Sequence, residues 1–276
     1  MKRFSGASVK RCQRLTKVCG PGEGRKICGP MKGCGGRMLK KGHGVDMKKI
    51  KAVFLKQAKD TMKNKTILIQ FVMFPMLAVV MEKFVSIEGM EEHFFVRMFS
   101  AMYIGMAPLI SMSAVLSEEK EVCTLKMLLM SDVKPIEYLL GTGSCIWAAC
   151  MTGACVFGVV GEYEGKEFLS FLLIMAVGTA ASLLIGAAIG TWSRNQMMAA
   201  SLGVPAMLFF SMLPMLSMFN EKIGRIAQFT YSEQIRLLIN GLGQQTAGFE
   251  SVMILILNIF AAFGCFALAY RRCGLA

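Results

Sequence analysis

The stretch SEEKEVCTLKMLLMSDVKP, at Ser117–Pro135, separates two long apolar runs and decides how the chain around it is interpreted. Ser117 can cap a first helical turn, and the two glutamates that follow it suit the positive end of a helix dipole. Apolar side chains then recur at roughly helical spacing, at Val122, Leu125, Leu128 and Leu129. Ser131-Asp132 interrupts this pattern, and Pro135 suits the first position of the next helix. The stretch therefore predicts a short amphipathic helix, Ser117–Met130, in an aqueous loop between two membrane spans.

The composition of the whole chain is that of a membrane protein. Of its 276 residues 54% are hydrophobic and the mean hydropathy is +0.52, which is too apolar for an ordinary soluble domain. Crossing the hydrocarbon takes about 20 residues of helix, and the candidate spans are Ile67–Met81, Phe94–Leu116, Ile136–Val160, Phe168–Trp192, Met198–Phe219 and Val252–Tyr270. These runs lack the alternation of barrel strands. We predict an all-α polytopic membrane protein with six transmembrane helices.

The distribution of Lys and Arg predicts the orientation of these spans. With the amino end taken as cytoplasmic, the inner segments that flank the spans hold thirteen basic residues and the outer loops hold five. Cytoplasmic loops of membrane proteins carry such an excess. We therefore expect a multi-pass protein of the plasma (inner) membrane, with both termini and the Ser117–Pro135 loop in the cytoplasm. The net charge of +13 does not indicate nucleic-acid binding, because much of it lies beside the spans or in one tail.

The run EEKEVCTLKMLLMSDVKPIEYLLG at 118–141 resembles the segment EEKExGTLExLLxxPVxxxExLLGK of type-2 ATP-binding-cassette (ABC-2) permeases. Cys123, where the family usually has glycine, and Thr142, where lysine often follows, depart from that pattern. The resemblance implies that this loop is a cytoplasmic coupling helix that docks on a separate ATPase subunit. The coupling residues would be Glu118, Glu119, Lys120, Glu121, Thr124, Leu125 and Leu128. Their glutamates would meet basic or polar groups of the ATPase, and the two leucines would fill its groove.

Two further amphipathic segments flank the spans. Lys48–Lys65 predicts an amino-terminal interfacial helix, with an apolar side formed by Ile50, Val53, Phe54 and Ala58. Tyr231–Gly241 in the last outer loop predicts a second helix, with an apolar side formed by Ile235, Leu238 and Ile239. The resemblance, which covers roughly Met47 to Arg272, implies both: members begin with an interfacial helix and commonly carry short helices before the last span as an outer lid.

Residues 1–46 form a basic tail, rich in Cys and Gly, which has almost no apolar periodicity and cannot bury a core. We predict that this tail is disordered and that residues 47–276 form the ABC-2 type transmembrane domain. Its cysteines lack the close pairs of a structural zinc site. Gly20–Ile27 has glycines and a lysine but not the spacing of a phosphate-binding loop. We therefore predict no metal site and no cofactor.

The spans contain almost no ionisable side chains, and the proton or sodium relay of a secondary transporter is therefore missing. The chain also has no complete Walker A motif, catalytic triad or zincin helix. It is thus expected not to be an enzyme but the permease subunit of an ATP-driven exporter. Its expected partners are a separate ABC ATPase subunit, a second permease copy or a paralogue, and membrane lipids.

The fifth span carries the residues most suited to a translocation pathway, because prolines kink a helix where it borders a cavity. We expect Gly203, Pro205, Met212 and Pro214 to line it. Met212 also begins a Met-x-x-Met-x-x-Met pattern, for which packing is favoured over copper binding because methionines occur in all spans. Two other functions stay open: a non-transporting immunity or sensor protein with a permease-like fold, and a secondary transporter or channel.

Overall fold

A computed structural model describes residues 46–85, 93–122, 124, 125, 128, 133–242 and 249–273. The regular secondary structure of these residues is helical, which confirms the predicted fold class. The helices are α1 (Met47–Lys63), α2 (Lys65–Phe84), α3 (Phe94–Glu121), α4 (Pro135–Val160), α5 (Gly165–Trp192), α6 (Gln196–Phe219), α7 (Glu221–Ala227), α8 (Tyr231–Asn240) and α9 (Phe249–Cys273). Residues 1–45 of the predicted tail lie outside the described residues.

Six helices in the described part of the chain are long and apolar enough to cross a membrane: α2, α3, α4, α5, α6 and α9. This confirms the number of spans predicted from the sequence. The observed ends lie within a few residues of the predicted ones, with one exception. The second span was expected to end at Leu116, whereas α3 continues to Glu121. Pro135 opens α4 at its first turn, as predicted.

The central helix of the bundle is α3. In its most apolar window 78% of the residues are buried inside the fold, compared with 22% in α6 and 17% in α9. It packs against α5 and α6 along its length, and against α2 and α4. A Cβ atom on Gly186 of α5 would lie 2.5 Å from the carbonyl oxygen of Leu109, so this close crossing requires glycine. A displacement of α3 therefore has to be accommodated by its neighbours.

The short helix α8 packs against α3, α5, α6 and α9. Its predicted apolar side is buried, with Ile235, Leu238 and Ile239 at most 5% exposed. Burial raises the pKa of the Tyr231 hydroxyl, which lies 3.2 Å from the Oγ atom of Ser182. Since Ile235 lies close to Gly178 of α5, α8 is inserted between the spans rather than lying free in the loop.

The amino-terminal helix α1 packs along α4. The Asp46 carboxylate accepts a hydrogen bond of 3.0 Å from the backbone N–H of Lys48 and so caps the first turn. Val53, Gln57 and Thr61 are its buried residues, while Phe54 and Ala58 are half-buried. The helix is therefore anchored on the membrane domain by a face that contains polar as well as apolar residues.

Candidate functional site

The predicted start of the coupling helix at Ser117 is wrong. Ser117 is fully buried within α3, and its Oγ atom donates a hydrogen bond of 2.9 Å to the carbonyl oxygen of Ala114. Glu118 and Glu119 thus lie in the last turn of a helix, where the dipole is unfavourable for acids, and not in a first turn. The sequence does not indicate where α3 ends, because no glycine or proline lies between Leu116 and Glu121.

Glu119 connects α3 to α1. Its side chain is only 10% exposed, and its Oε1 atom forms an ion pair with the Nζ atom of Lys56. The same Lys56 lies 3.7 Å from Asp60 on the next turn of α1. Glu119 therefore has a partner inside this chain, and the expectation that it also meets a group of the ATPase stays a prediction.

Lys120 and Glu121 connect α3 to the junction between α5 and α6. The Lys120 ammonium donates hydrogen bonds to the carbonyl oxygens of Thr191 and Ser193, at the end of α5. The Glu121 carboxylate accepts a hydrogen bond of 2.9 Å from the backbone N–H of Gln196, the first residue of α6. A cation at a carboxyl end and an anion at an amino end both match the helix dipoles. Lys120 and Glu121, two of the predicted coupling residues, thus connect α3 to α5 and to α6.

The remaining coupling residues differ in exposure. Glu118 is exposed and Thr124 is half-buried, so both can be reached from outside the chain. Leu125 is only 1% exposed and belongs to the hydrophobic core, with Leu128 packed against it. The expectation that Leu125 fills a groove of the ATPase is therefore wrong, because its side chain is already buried in this chain. Residues 123, 126, 127 and 129–132 lie outside the described residues.

Glu137 and Gly141, in the second half of the quoted run, position α1. Glu137 is fully buried; its carboxylate accepts hydrogen bonds from the backbone N–H groups of Asp46, at 2.9 Å, and Lys134, at 3.0 Å. A Cβ atom on Gly141 would lie 2.8 Å from the Cβ atom of Val53 in α1. We did not select Glu137 from the sequence, although a glutamate three residues after Lys134 has the spacing of a capping box.

These contacts create a polar cleft at the carboxyl end of α3. Its volume is about 360 Å³, and it is lined by Lys56, Gln57, Asp60, Thr61, Lys63, Asn64, Ile67, Val115, Glu118, Glu119, Val122 and Thr124. The lining carries charges of both signs. Among the described residues no group of His, Cys, Asp and Glu side chains could hold a metal ion. Mixed charges suit the polar surface of a protein partner better than a small ligand.

The four residues predicted to line a pathway lie on two faces of α6. Gly203 and Pro214 are buried, and a Cβ atom on Gly203 would lie 3.2 Å from the side chain of Ile110 in α3. Pro205 is exposed and Met212 is half-buried, and they share a helical face with exposed apolar side chains, namely Leu202, Phe209 and Leu216. The structure therefore does not bring the four residues together on one surface.

The sequence profile of a family described as "ABC-2 family transporter protein" matches residues 44–271. No curated protein matches the sequence. The matched segment contains α1, the cleft and the six apolar helices, and it excludes nearly all of the basic tail.

Proposed function

Because the chain belongs to the ABC-2 transporter family, we propose that this membrane permease is the translocation subunit of an ATP-driven exporter, driven by a separate ATPase. The observation that carries the proposal is the ion pair between Lys56 and Glu119. It brings the amino-terminal helix and the end of the central span into one cleft, with the exposed Glu118 on its lining. A partner bound there contacts both elements at once.

The contacts of the last turn of α3 support a route by which movement spreads. A displacement of the cleft changes the position of α1 and α3 together, because Glu119 joins them. The bonds of Lys120 and Glu121 carry the displacement to the end of α5 and the start of α6. We propose that ATP binding moves these elements and so alternates the pathway between inward and outward access.

The second partner in the proposal is another copy of this chain or a paralogue. The face of α6 with Leu202, Pro205, Phe209, Met212 and Leu216 is apolar and largely exposed in one chain. Two such faces related by a two-fold axis would enclose a pathway. The lysines of α1 and the loop charges favour placement of the cleft and both termini in the cytoplasm, where ATP is found.

Site-specific photo-crosslinking tests the docking site. A photoreactive amino acid at position 118 is expected to crosslink to a co-expressed ABC ATPase. The same amino acid at the exposed position 164, in the loop between α4 and α5, is the matched control and is expected not to. Crosslinks of equal yield at both positions, or at position 164 alone, would contradict the assignment of the cleft.

A further inference from the structure

A second groove lies between α1, α2 and α4, and it differs in character from the polar cleft. Its volume is about 520 Å³, and its walls include Phe54, Ala58, Leu68, Val72, Ala148 and Thr152. None of its lining residues is charged, and it shares only Thr61 with the polar cleft. Because α2 and α4 are membrane spans, this groove faces the interior of the bilayer.

The depth of the groove matches a single leaflet. Along α2 its lining runs from Leu68 to Met76, which is about 12 Å at the rise of an α-helix. Along α4 it runs from Cys145 to Val156, which is about 16 Å. One leaflet contributes about half of a hydrocarbon core that is about 30 Å thick. Along both spans the groove therefore has about the length of an acyl chain.

Two exposed lysines extend the groove-lining faces of α1 and α2. Lys51 precedes the lining residue Phe54 by three positions, and Lys65 precedes Leu68 by three, so each lysine continues the groove face of its helix. Both lysines are exposed. The nearby acids Asp60, Glu118 and Glu119 line the polar cleft instead. Such a charge at the end of an apolar groove matches an anionic headgroup.

We propose that this groove binds an anionic phospholipid, with an acyl chain between α2 and α4 and its anionic headgroup in the region flanked by Lys51 and Lys65. No residue of α6 lines the groove, so the bound lipid is separate from the pathway proposed above. The lipid contacts α1 as well as two spans, and it therefore fastens the amino-terminal helix to the membrane domain. The inference requires only that the six apolar helices cross a bilayer.

Photolabelling tests the acyl-chain part of the site. The purified full chain is placed in phosphatidylcholine vesicles that contain a phosphatidylglycerol with a photoreactive acyl chain. We expect labelling of α2 and α4 in the parent, and a several-fold decrease in Ala148→Trp, which fills the groove. Cys155→Trp is the matched control, because Cys155 is exposed on the same helix and does not line the groove. Equal labelling of the two variants would overturn the proposal.

A charge-matched pair of variants tests the headgroup part, including the case in which Ala148→Trp fails to fold. In the parent we expect several-fold preference for labelled phosphatidylglycerol over labelled phosphatidylcholine. Lys51→Gln with Lys65→Gln should abolish that preference. Lys48→Gln with Lys59→Gln, which removes two other exposed lysines of α1, should retain it. An equal loss in both double variants, or no preference in the parent, would refute the site. These measurements contain no ATPase, so their failure leaves the proposed function untouched.

Discussion

The four charged residues at the end of α3 are adjacent in sequence but contact different parts of the molecule. Glu118 faces outwards, Glu119 pairs with Lys56, and Lys120 and Glu121 bind the backbone at the α5–α6 junction. Exposed ion pairs contribute little to stability, but Glu119 is largely buried, and the loss of its partner leaves a charge in a poorly solvated place. We therefore expect substitutions at these four residues to differ sharply in their effect on stability.

Substitutions of the Lys56–Glu119 pair test its role as a connection between α1 and α3. Glu119→Lys is expected to lower the free energy of unfolding by about 1–3 kcal/mol and to abolish stimulation of the ATPase, because two lysines then face each other. The exchanged pair, Lys56→Glu with Glu119→Lys, is made together with Asp60→Asn, because Asp60 lies 3.7 Å from the Lys56 Nζ atom and would repel a glutamate there. It should recover most of both quantities. Thermal unfolding in detergent and ATP hydrolysis are the two measurements. Failure of the exchanged pair to recover either quantity would show that the pairing itself is not what matters.

Glu137 offers a test of what holds α1 in place. Glu137→Ala leaves the backbone N–H groups of Asp46 and Lys134 without their acceptor, and we expect a loss of about 2–4 kcal/mol in the free energy of unfolding. Limited trypsin digestion should then cut faster at the lysines of α1. Glu164→Ala, at an exposed position, is the control. Unchanged digestion and unfolding in Glu137→Ala would mean that α1 is held by other contacts.

Among the elements, α1 and α4 form the contact that holds the cleft-lining helix α1 in place. Gly141 allows the backbone of α4 to approach α1: a Cβ atom at this position would lie 3.0 Å from the carbonyl oxygen of Ile50 and closer still to the Val53 side chain. Gly143, two residues further along α4, has nothing within 4 Å of the corresponding position. Gly141 is therefore a position at which the α1–α4 contact can be tested, and Gly143 in the same helix is its control.

Alanine at these two glycines should have opposite effects. Gly141→Ala crowds α1 and is expected to cost about 1–3 kcal/mol, because neither the neighbouring backbone nor Val53 Cβ can move freely. Gly143→Ala gains helix propensity and is expected to be neutral or stabilising, by up to about 1 kcal/mol. Thermal unfolding of the two variants gives the comparison. A destabilisation of equal size in both would mean that α1 does not pack tightly at Gly141.

The elements also show which features a sequence can reveal. The spans follow from apolar runs that are long enough to cross a bilayer, and the start of α4 follows from Pro135. The end of α3 could not be predicted, because Ser117–Glu121 can end one helix or begin another and only tertiary contacts decide. Leu125 looked like part of an exposed apolar face for the same reason: periodicity reveals a face but not whether that face meets the same chain or a partner.

At the scale of the whole molecule, the buried span α3 lies between the cleft and the exposed face of α6. It is the most enclosed of the six spans, and its last turn contacts α1, α5 and α6. A partner that binds the cleft can therefore influence the face on which a second copy would complete the pathway. The proposed function therefore predicts that an ABC ATPase docked at the cleft changes its rate of ATP hydrolysis.

Stimulation of ATP hydrolysis tests that claim most directly. The chain and a candidate ABC ATPase are reconstituted together, and hydrolysis is compared for the parent, for Lys63→Glu with Glu118→Lys, and for Lys166→Glu with Glu164→Lys. Both double variants reverse one basic and one acidic side chain at exposed positions, the first at the cleft and the second where α5 begins. Glu119 is left unchanged because it pairs inside the chain. We predict that the parent and the second variant raise hydrolysis severalfold, whereas the cleft variant inserts normally and leaves it at the rate of the ATPase alone. Equal stimulation by all three proteins would contradict the account.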